Sequence, residues 1–250
     1  MNKNNDSIIK RIASGRKLTK KQKKLLKKYI SIIVVSAFIA LAIICLVFSY
    51  FKRHKEHIAE VKAEREAYIE DIRPEIEQEL LTPNKNSRSE KPLTEIRGVV
   101  IHYTANPGTD AQANRDYFES RKDAPDKIEN KVSSHFIIGL HGNIIQCIPL
   151  TEIAYASNER NKDTISIECC IPGSSGRFNK DTYNALLDLV SWLVVRYDIS
   201  EDQIIRHYDV TGKLCPKFYV KHPEKWETLK SDIMDKVQSI RDDIEAKYPY

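Results

Sequence analysis

The feature that most constrains this chain is an uncharged, apolar run of 23 residues from Tyr29 to Phe51. At about 1.5 Å per residue, a helix of this length covers the roughly 30 Å hydrocarbon core of a bilayer. The run is long for a core helix without a polar face. It also exceeds the apolar region of a cleaved signal peptide, and no small-residue cleavage site follows it. The sequence therefore predicts one transmembrane helix over residues 29–51.

Charge is distributed unevenly on the two sides of this run. Residues 1–28 contain eleven Lys and Arg residues and one acidic residue, whereas residues 29–250 carry a net charge of −5. Because positively charged flanks stay on the cytoplasmic side, we expect a basic cytoplasmic tail over 1–28 and an extracytoplasmic C-terminal part. The tail lacks the interleaved aromatic residues of nucleic-acid-binding segments, so no nucleic-acid partner is predicted.

Residues 52–92 are predicted to form a charged helical stalk and a linker. Apolar residues recur there at a sparse helical spacing, which Pro74 interrupts. A dimerising coiled coil is the alternative, although its seam would be thin, and the sequence leaves the oligomeric state open. Residues 82–92 resemble a flexible linker in composition. A globular domain over 93–240 and a C-terminal tail over 241–250 complete the predicted organisation.

The globular region mixes strand and helix patterns. Runs of β-branched residues predict strands over 96–103, 134–139, 143–148, 163–169 and 203–207, with a hairpin between the second and the third. Apolar spacing predicts helices over 111–122, from Asn179 onward and over 223–240. In the first helix, Asp110 is the expected cap, and Ala113, Tyr117 and Phe118 are expected on one side. The predicted fold is an α/β domain with a central mixed β-sheet flanked by helices, preceded by the single transmembrane helix.

Two histidines and a cysteine are the candidate metal ligands of this region. His102 and His207 end two of the β-branched runs, and Cys215 follows the second histidine by eight residues. Two imidazoles and a thiolate would leave the fourth position of a tetrahedral zinc site open to water. Contiguous zinc signatures such as HExxH or CxxC pairs are absent from the sequence. By spacing alone, two histidines and a cysteine at strand ends are more often packing or solvated-edge residues than metal ligands.

Four segments of the globular region form a recognisable series: VVIHYTA (99–105), SSHFIIGLHGNIIQCIPL (133–150), NKDTISIE (161–168) and RHYDVTGKLCPKF (206–218). Together they resemble the zinc-dependent N-acetylmuramoyl-L-alanine amidases, which share a domain with phage T7-type lysozymes and the peptidoglycan recognition proteins. The resemblance spans about residues 96–235. It implies a groove on a mixed sheet, one Zn²⁺ held by His102, His207 and Cys215, and peptidoglycan as the substrate.

The resemblance also implies catalytic residues. The family's catalytic lysine matches Lys213. One branch of the family uses a tyrosine as general base at the position of Ser134, whereas the other uses the glutamate at the position of Glu168, so the sequence resembles the glutamate type. His135 matches a family histidine that is not a zinc ligand, and it is either structural or substrate-facing.

These observations predict a membrane-anchored, extracytoplasmic zinc hydrolase that cleaves the amide bond between N-acetylmuramic acid and L-alanine. The alternative is a non-catalytic peptidoglycan-binding or sensor module on the same fold. A thiol peptidase that uses Cys215 and His207 is disfavoured, because Pro216 follows the cysteine and no helix N-terminus is present to lower its pKa. The other cysteines of the globular region are expected to be buried free thiols: Cys147, Cys169 and Cys170.

Overall fold

The computed structural model describes residues 3–249, and the chain divides into two compact units after Lys62. The first unit holds helix α1 (Lys3–Ala13) and most of helix α2 (Lys20–Asp71). Among the described residues, α2 is the one helix long and apolar enough to cross a membrane by length and composition. All residues from 29 to 51 are exposed in the isolated chain. The predicted span therefore lies wholly within one continuous helix.

The second unit is built around a six-stranded mixed sheet, whose strands in chain order are β1 (Glu77–Gln78), β2 (Gly98–Tyr103), β3 (Phe136–Ile138), β4 (Ile144–Gln146), β5 (Thr164–Cys169) and β6 (Ile204–Arg206). Their spatial order is β1-β4-β3-β5-β2-β6. β3 and β4 form the predicted antiparallel hairpin, and every other neighbouring pair is parallel. The helices of this unit are α3 (Ala111–Ser120), α4 (Lys180–Tyr197), α5 (His207–Thr211), α6 (Lys217–Lys221) and α7 (Pro223–Lys247).

Helices cover both faces of the sheet, which confirms the predicted fold class. Val99 and Ile101 of β2 belong to a large buried cluster with the apolar residues of α4 and α7. On the opposite face, Ile137 and Ile145 belong to a second cluster with Phe118 of α3. Because side chains alternate along a strand, the β2 and β5 residues between those of the large cluster point to the α3 side. Among them are His102 and Glu168.

Helix α3 begins as predicted but buries a different stripe. The Asp110 carboxylate accepts a hydrogen bond from the Ala113 N–H at 2.8 Å, which caps the first turn. The buried residues of the helix are Ala111, Asn114 and Phe118, whereas Ala113 is exposed and Tyr117 is 53% exposed. Of the three residues expected on one side, Phe118 is therefore buried and the other two are not, and a polar residue, Asn114, occupies a buried position.

The C-terminal helix α7 is longer than the sequence pattern indicated. It continues to Lys247 through most of the region expected to be a tail over 241–250. Ile244 is buried and extends the stripe formed by Leu229, Ile233 and Val237. Polar contacts also attach the end of this helix, since the Arg65 Nε–H donates to the Tyr248 carbonyl at 2.8 Å and the Lys247 Nζ to the Tyr68 hydroxyl at 3.0 Å.

The segment between α2 and β2 differs from the flexible linker expected over 82–92. β1 pairs with β4, and Leu81 is completely buried. The Arg88 guanidinium donates two hydrogen bonds to the Glu152 carboxylate, at 2.8 and 2.9 Å. The last turns of α2, from Ala63 onward, belong to the second unit, and within it the Trp192 indole N–H donates to the Ile69 carbonyl at 2.9 Å. Buried residues scattered through a polar segment, rather than any periodic pattern, attach it to the fold.

Candidate functional site

The order of the strands brings the predicted metal ligands together. β2 lies between β5 and β6, and both neighbours run parallel to it. His102 is the penultimate residue of β2, and His207 directly follows β6. Parallel strands end at the same edge of a sheet, so these two histidines meet at that edge. β2 and β6, which are far apart in the chain, therefore supply neighbouring side chains.

A tight loop returns Cys215 to the same edge. After α5, Gly212 adopts a left-handed conformation with φ of 74°, which ends the helix. The Tyr208 N–H then donates a hydrogen bond to the Cys215 carbonyl at 2.9 Å and closes the loop. The sequence predicted a strand that ran to His207 and a plain loop beyond it. The structure instead begins the short helix α5 at His207.

The three side chains form one compact, buried cluster. One ligand atom from each of His102, His207 and Cys215 can be chosen so that all three lie within 4.8 Å of one another. The His102 Nδ1 atom is 3.8 Å from the Cys215 Sγ atom, and the two imidazole centroids are 4.6 Å apart. In a tetrahedral site with Zn–N of about 2.0–2.1 Å and Zn–S of about 2.3 Å, the N···S separation is about 3.6 Å. The observed spacing fits zinc.

A second observation supports a cation at this cluster. The Nδ1 atom of His207 is buried and has no hydrogen-bond partner among the described residues. Buried polar atoms without a partner are rare in folded proteins, and an ion is one common explanation. Two imidazole nitrogens and a sulfur are donors that zinc prefers.

Burial determines the charge states of the three side chains. It lowers the pKa of His102, where the neighbouring His207 acts in the same direction, and it also lowers the pKa of His207. Both rings are thus held neutral, which is the form that binds a metal. Burial, together with the charge of Glu168, raises the pKa of the Cys215 thiol to about 12. Because the nucleophile of a thiol peptidase is a thiolate, this environment argues against that function.

Glu168 lies beside the cluster on β5. Its backbone pairs with that of His102 in the register of the two parallel strands. Its Oε2 atom is buried without a hydrogen-bond partner. Burial raises the pKa of this carboxyl group to about 7, and the positive charge of Lys213 opposes the rise. A carboxyl group with a pKa near neutrality is suited to accept and release a proton at neutral pH.

The five predicted residues line one cavity of about 460 Å³: His102, Glu168, His207, Lys213 and Cys215. One part of its wall is apolar or aromatic and includes Tyr117, Phe118, Ile128 and Tyr155. Ile128 is 80% exposed at this wall. No periodic sequence pattern indicates this wall, because it is formed by an exposed helix face and by short 3₁₀ turns. The only sequence signal for the wall was a second aromatic residue, Tyr117, next to Phe118 in the same helix.

His135 and Ser134 lie outside the cavity lining. His135 is 1% exposed, its Nδ1 atom accepts the Ser166 N–H at 3.0 Å, and its Nε2 atom lies 3.0 Å from the Glu152 carbonyl. Both ring nitrogens therefore bond to the protein itself, which favours the structural interpretation of this histidine. The buried Ser134 hydroxyl bonds to main-chain carbonyls, 2.8 Å from that of Ser166.

The remaining cysteines carry no disulfide in the structure. Cys169 belongs to the cluster beneath α4 and α7, whereas Cys170 and Cys147 belong to the cluster beneath α3. Burial raises the pKa of all three thiols. They are buried free thiols, as expected.

Comparison with known proteins gives a consistent result. A family model described as N-acetylmuramoyl-L-alanine amidase matches residues 92–218, just over half of the chain. The chain is similar to the N-acetylmuramoyl-L-alanine amidase CwlL of Bacillus licheniformis, with 32% identity over 163 residues that cover 60% of this chain and 44% of that protein. It is also 29% identical over 175 residues to the N-acetylmuramoyl-L-alanine amidase BlyA of Bacillus subtilis (strain 168), covering 62% of this chain and 45% of that protein. The chain thus spans less than half the length of these curated relatives.

Solved structures match the same part of the chain. A mutant endolysin from Bacillus subtilis superimposes with a TM-score of 0.52 and 26% identity, covering 64% of this chain and 98% of that chain. The catalytic domain of XlyA superimposes with a TM-score of 0.51 and 28% identity, covering 64% of this chain and 99% of that chain. Each of these two domains is matched almost from end to end.

Proposed function

The chain belongs to the N-acetylmuramoyl-L-alanine amidase family, and we propose on this basis that it hydrolyses the amide bond between N-acetylmuramic acid and L-alanine in peptidoglycan. The observation that carries the proposal is the convergence of His102, His207 and Cys215 beside Glu168 in one cavity. A module that only binds peptidoglycan has no need of a buried ligand cluster next to a carboxyl group with a raised pKa.

We propose that His102, His207 and Cys215 hold one Zn²⁺. When bound, zinc supplies an acidified water and a positive charge that polarises the substrate carbonyl. Glu168 accepts a proton from the attacking water and returns it to the nitrogen of the departing L-alanine, which would otherwise be a poor leaving group. Lys213, on the rim of the same cavity, places a positive charge near the oxygen on which negative charge develops.

The apolar wall of the cavity is proposed to bind the substrate. Tyr117 and Ile128 are the exposed large residues of this wall. Aromatic and apolar surfaces pack against the carbon faces of sugar rings and against alanine methyl groups. This kind of binding does not need a charged group on the substrate. Replacement of Tyr117 by Ala is expected to raise KM more than it lowers kcat.

The activity is tested with the full chain purified in detergent and incubated with muropeptides. We expect new amino-terminal L-alanine to appear with zinc present and to stop when a chelator removes the metal. One zinc per chain is expected in metal analysis, and His102→Ala should lose it. Tight muropeptide binding without release of amino-terminal alanine from the zinc-loaded chain would instead favour the binding module.

We further propose that α2 anchors the chain in a membrane, with residues 1–28 in the cytoplasm and the second unit outside it. The basic tail next to a 23-residue apolar run supports this orientation. Labelling of intact cells with a membrane-impermeant maleimide tests it, because Ser14 and Ser174 are both exposed and can be changed singly to Cys. Labelling is expected at position 174 only. Labelling at position 14 only would show the opposite orientation, with the N-terminal tail outside the cell.

A further inference from the structure

Ser157 contacts the proposed zinc ligand His102 at the ring nitrogen that does not face Cys215. The Ser157 Oγ atom lies 3.1 Å from the His102 Nε2 atom. Ser157 is completely buried and His102 is 2% exposed. This contact is the one hydrogen bond that the Ser157 hydroxyl makes to a described residue. The serine is not part of the cavity lining, so it can reach substrate only through the imidazole.

The position of Ser157 is fixed by its own backbone. The Asn161 Oδ1 atom accepts hydrogen bonds from the N–H groups of Ser157, at 2.5 Å, and of Ala156, at 3.0 Å. The Ser157 carbonyl accepts the Arg160 N–H at 3.0 Å. The 3₁₀ turn Asn158–Lys162 that follows carries both Arg160 and Asn161. The turn therefore holds the Ser157 main chain through both its N–H and its carbonyl group.

The two nitrogens of the His102 ring therefore face different partners. Nε2 faces Ser157, while Nδ1 faces Cys215, whose sulfur is 3.8 Å away. A neutral imidazole has one N–H and one lone pair. If the proton is on Nε2 and is donated to Ser157, the lone pair lies on Nδ1, the nitrogen that faces Cys215. A metal-ligating histidine is commonly oriented in this way by a partner on its other nitrogen.

We infer that Ser157 is a positioning residue that orients His102 and keeps its proton on Nε2, so that Nδ1 is the atom presented to the metal. The inference rests on the proposed zinc site. Asn161 supports it by holding the Ser157 main chain. Neither residue needs to touch the reacting atoms for this role.

The test measures zinc affinity by competition with a chromophoric chelator, in the full chain in detergent. Ser157→Ala is expected to weaken zinc binding by roughly 10- to 100-fold, the usual effect of removing such a partner. Ser191→Ala is the matched control. Ser191, on α4, is also completely buried and donates a single hydrogen bond, to the Ile233 carbonyl of α7. This variant should bind zinc as tightly as the wild type.

A second measurement needs no substitution. In the zinc-loaded wild type with ¹⁵N-labelled histidine, NMR should show a proton on Nε2 of His102 and the shift of a metal-bound nitrogen on Nδ1. Ligation through Nε2, or zinc affinity of Ser157→Ala within twofold of the wild type, would overturn the inference and leave the proposed function intact. A wild-type chain that binds no zinc would overturn the proposed function and this inference with it.

Discussion

Glu168 and His102 occupy paired positions on the parallel strands β5 and β2. Adjacent strands lie about 4.8 Å apart, and both side chains are on the α3 face of the sheet. The proposed proton acceptor is thereby held at a fixed distance from a proposed metal ligand by main-chain hydrogen bonds rather than by a loop. Catalytic groups on such rigid elements are positioned more reproducibly than groups on loops.

Replacement of Glu168 by Gln keeps the size of the side chain but removes the proton acceptor. We expect kcat to fall by about 10²- to 10⁴-fold, the usual contribution of general base catalysis, with zinc content unchanged. Steady-state hydrolysis of muropeptides and metal analysis measure the two quantities. The exposed Glu227→Gln on α7 is the control. Activity of Glu168→Gln within a few fold of the wild type would refute the assignment.

Replacement of Cys215 by Asp exchanges one anionic ligand for another. Carboxylate oxygens also coordinate zinc, at about 2.0–2.2 Å, so this variant is expected to keep part of its zinc and activity. Cys215→Ala, which offers no ligand, should lose both. Wild-type zinc content in both variants would show that residue 215 is not a ligand, whereas loss of all zinc from both, with circular dichroism like that of the wild type, would show that Asp does not replace the thiolate.

His135 gives the domain a predictable sensitivity to acid. Burial lowers its pKa from 6.5 to about 4, so below pH 6.5 the unfolded chain binds a proton that the folded chain does not. The free energy of unfolding therefore falls as the pH drops from about 6.5 to about 4, by roughly 3 kcal/mol in total.

Denaturant titrations of the wild type and of His135→Gln across this pH range isolate the effect of His135. Relative to the variant, the wild type should lose stability as the pH falls. Parallel curves for the two proteins would show that His135 titrates normally in the folded state.

The Arg88–Glu152 pair tests whether residues 82–92 belong to the fold. The two side chains are only 14% and 15% exposed, and removing one partner of a buried pair costs about 3 kcal/mol or more. Arg88→Ala should therefore lower the unfolding midpoint clearly. Arg97→Ala, which removes an exposed pair with Glu95, is expected to leave the midpoint near that of the wild type. Equal unfolding midpoints for the two variants would mean that residues 82–92 contribute little to the stability of the fold.

The ligand cluster was predicted from the family resemblance, and the two β-branched runs at whose ends His102 and His207 stand agreed with it. His102 and His207 each follow a β-branched run, and strands of this kind end where the sheet presents its edge. The paired position of Glu168 came from the family resemblance, since no local pattern states which strands are neighbours. The unpredicted parts depend on single contacts between distant residues. Leu81 and Arg88 lie in a segment of polar composition, and Ser157 acquires its role only when residue 102 is folded against it.

The outermost strands of the sheet, β1 and β6, contain only two and three residues. An unpaired strand edge is a template on which another chain can add its own main chain, and very short edge strands give that template little length. Copies held in one bilayer would collide far more often than copies diluted in bulk. If α2 anchors the chain in a membrane as proposed, the shortness of these two edge strands limits aggregation between the sheets of neighbouring copies.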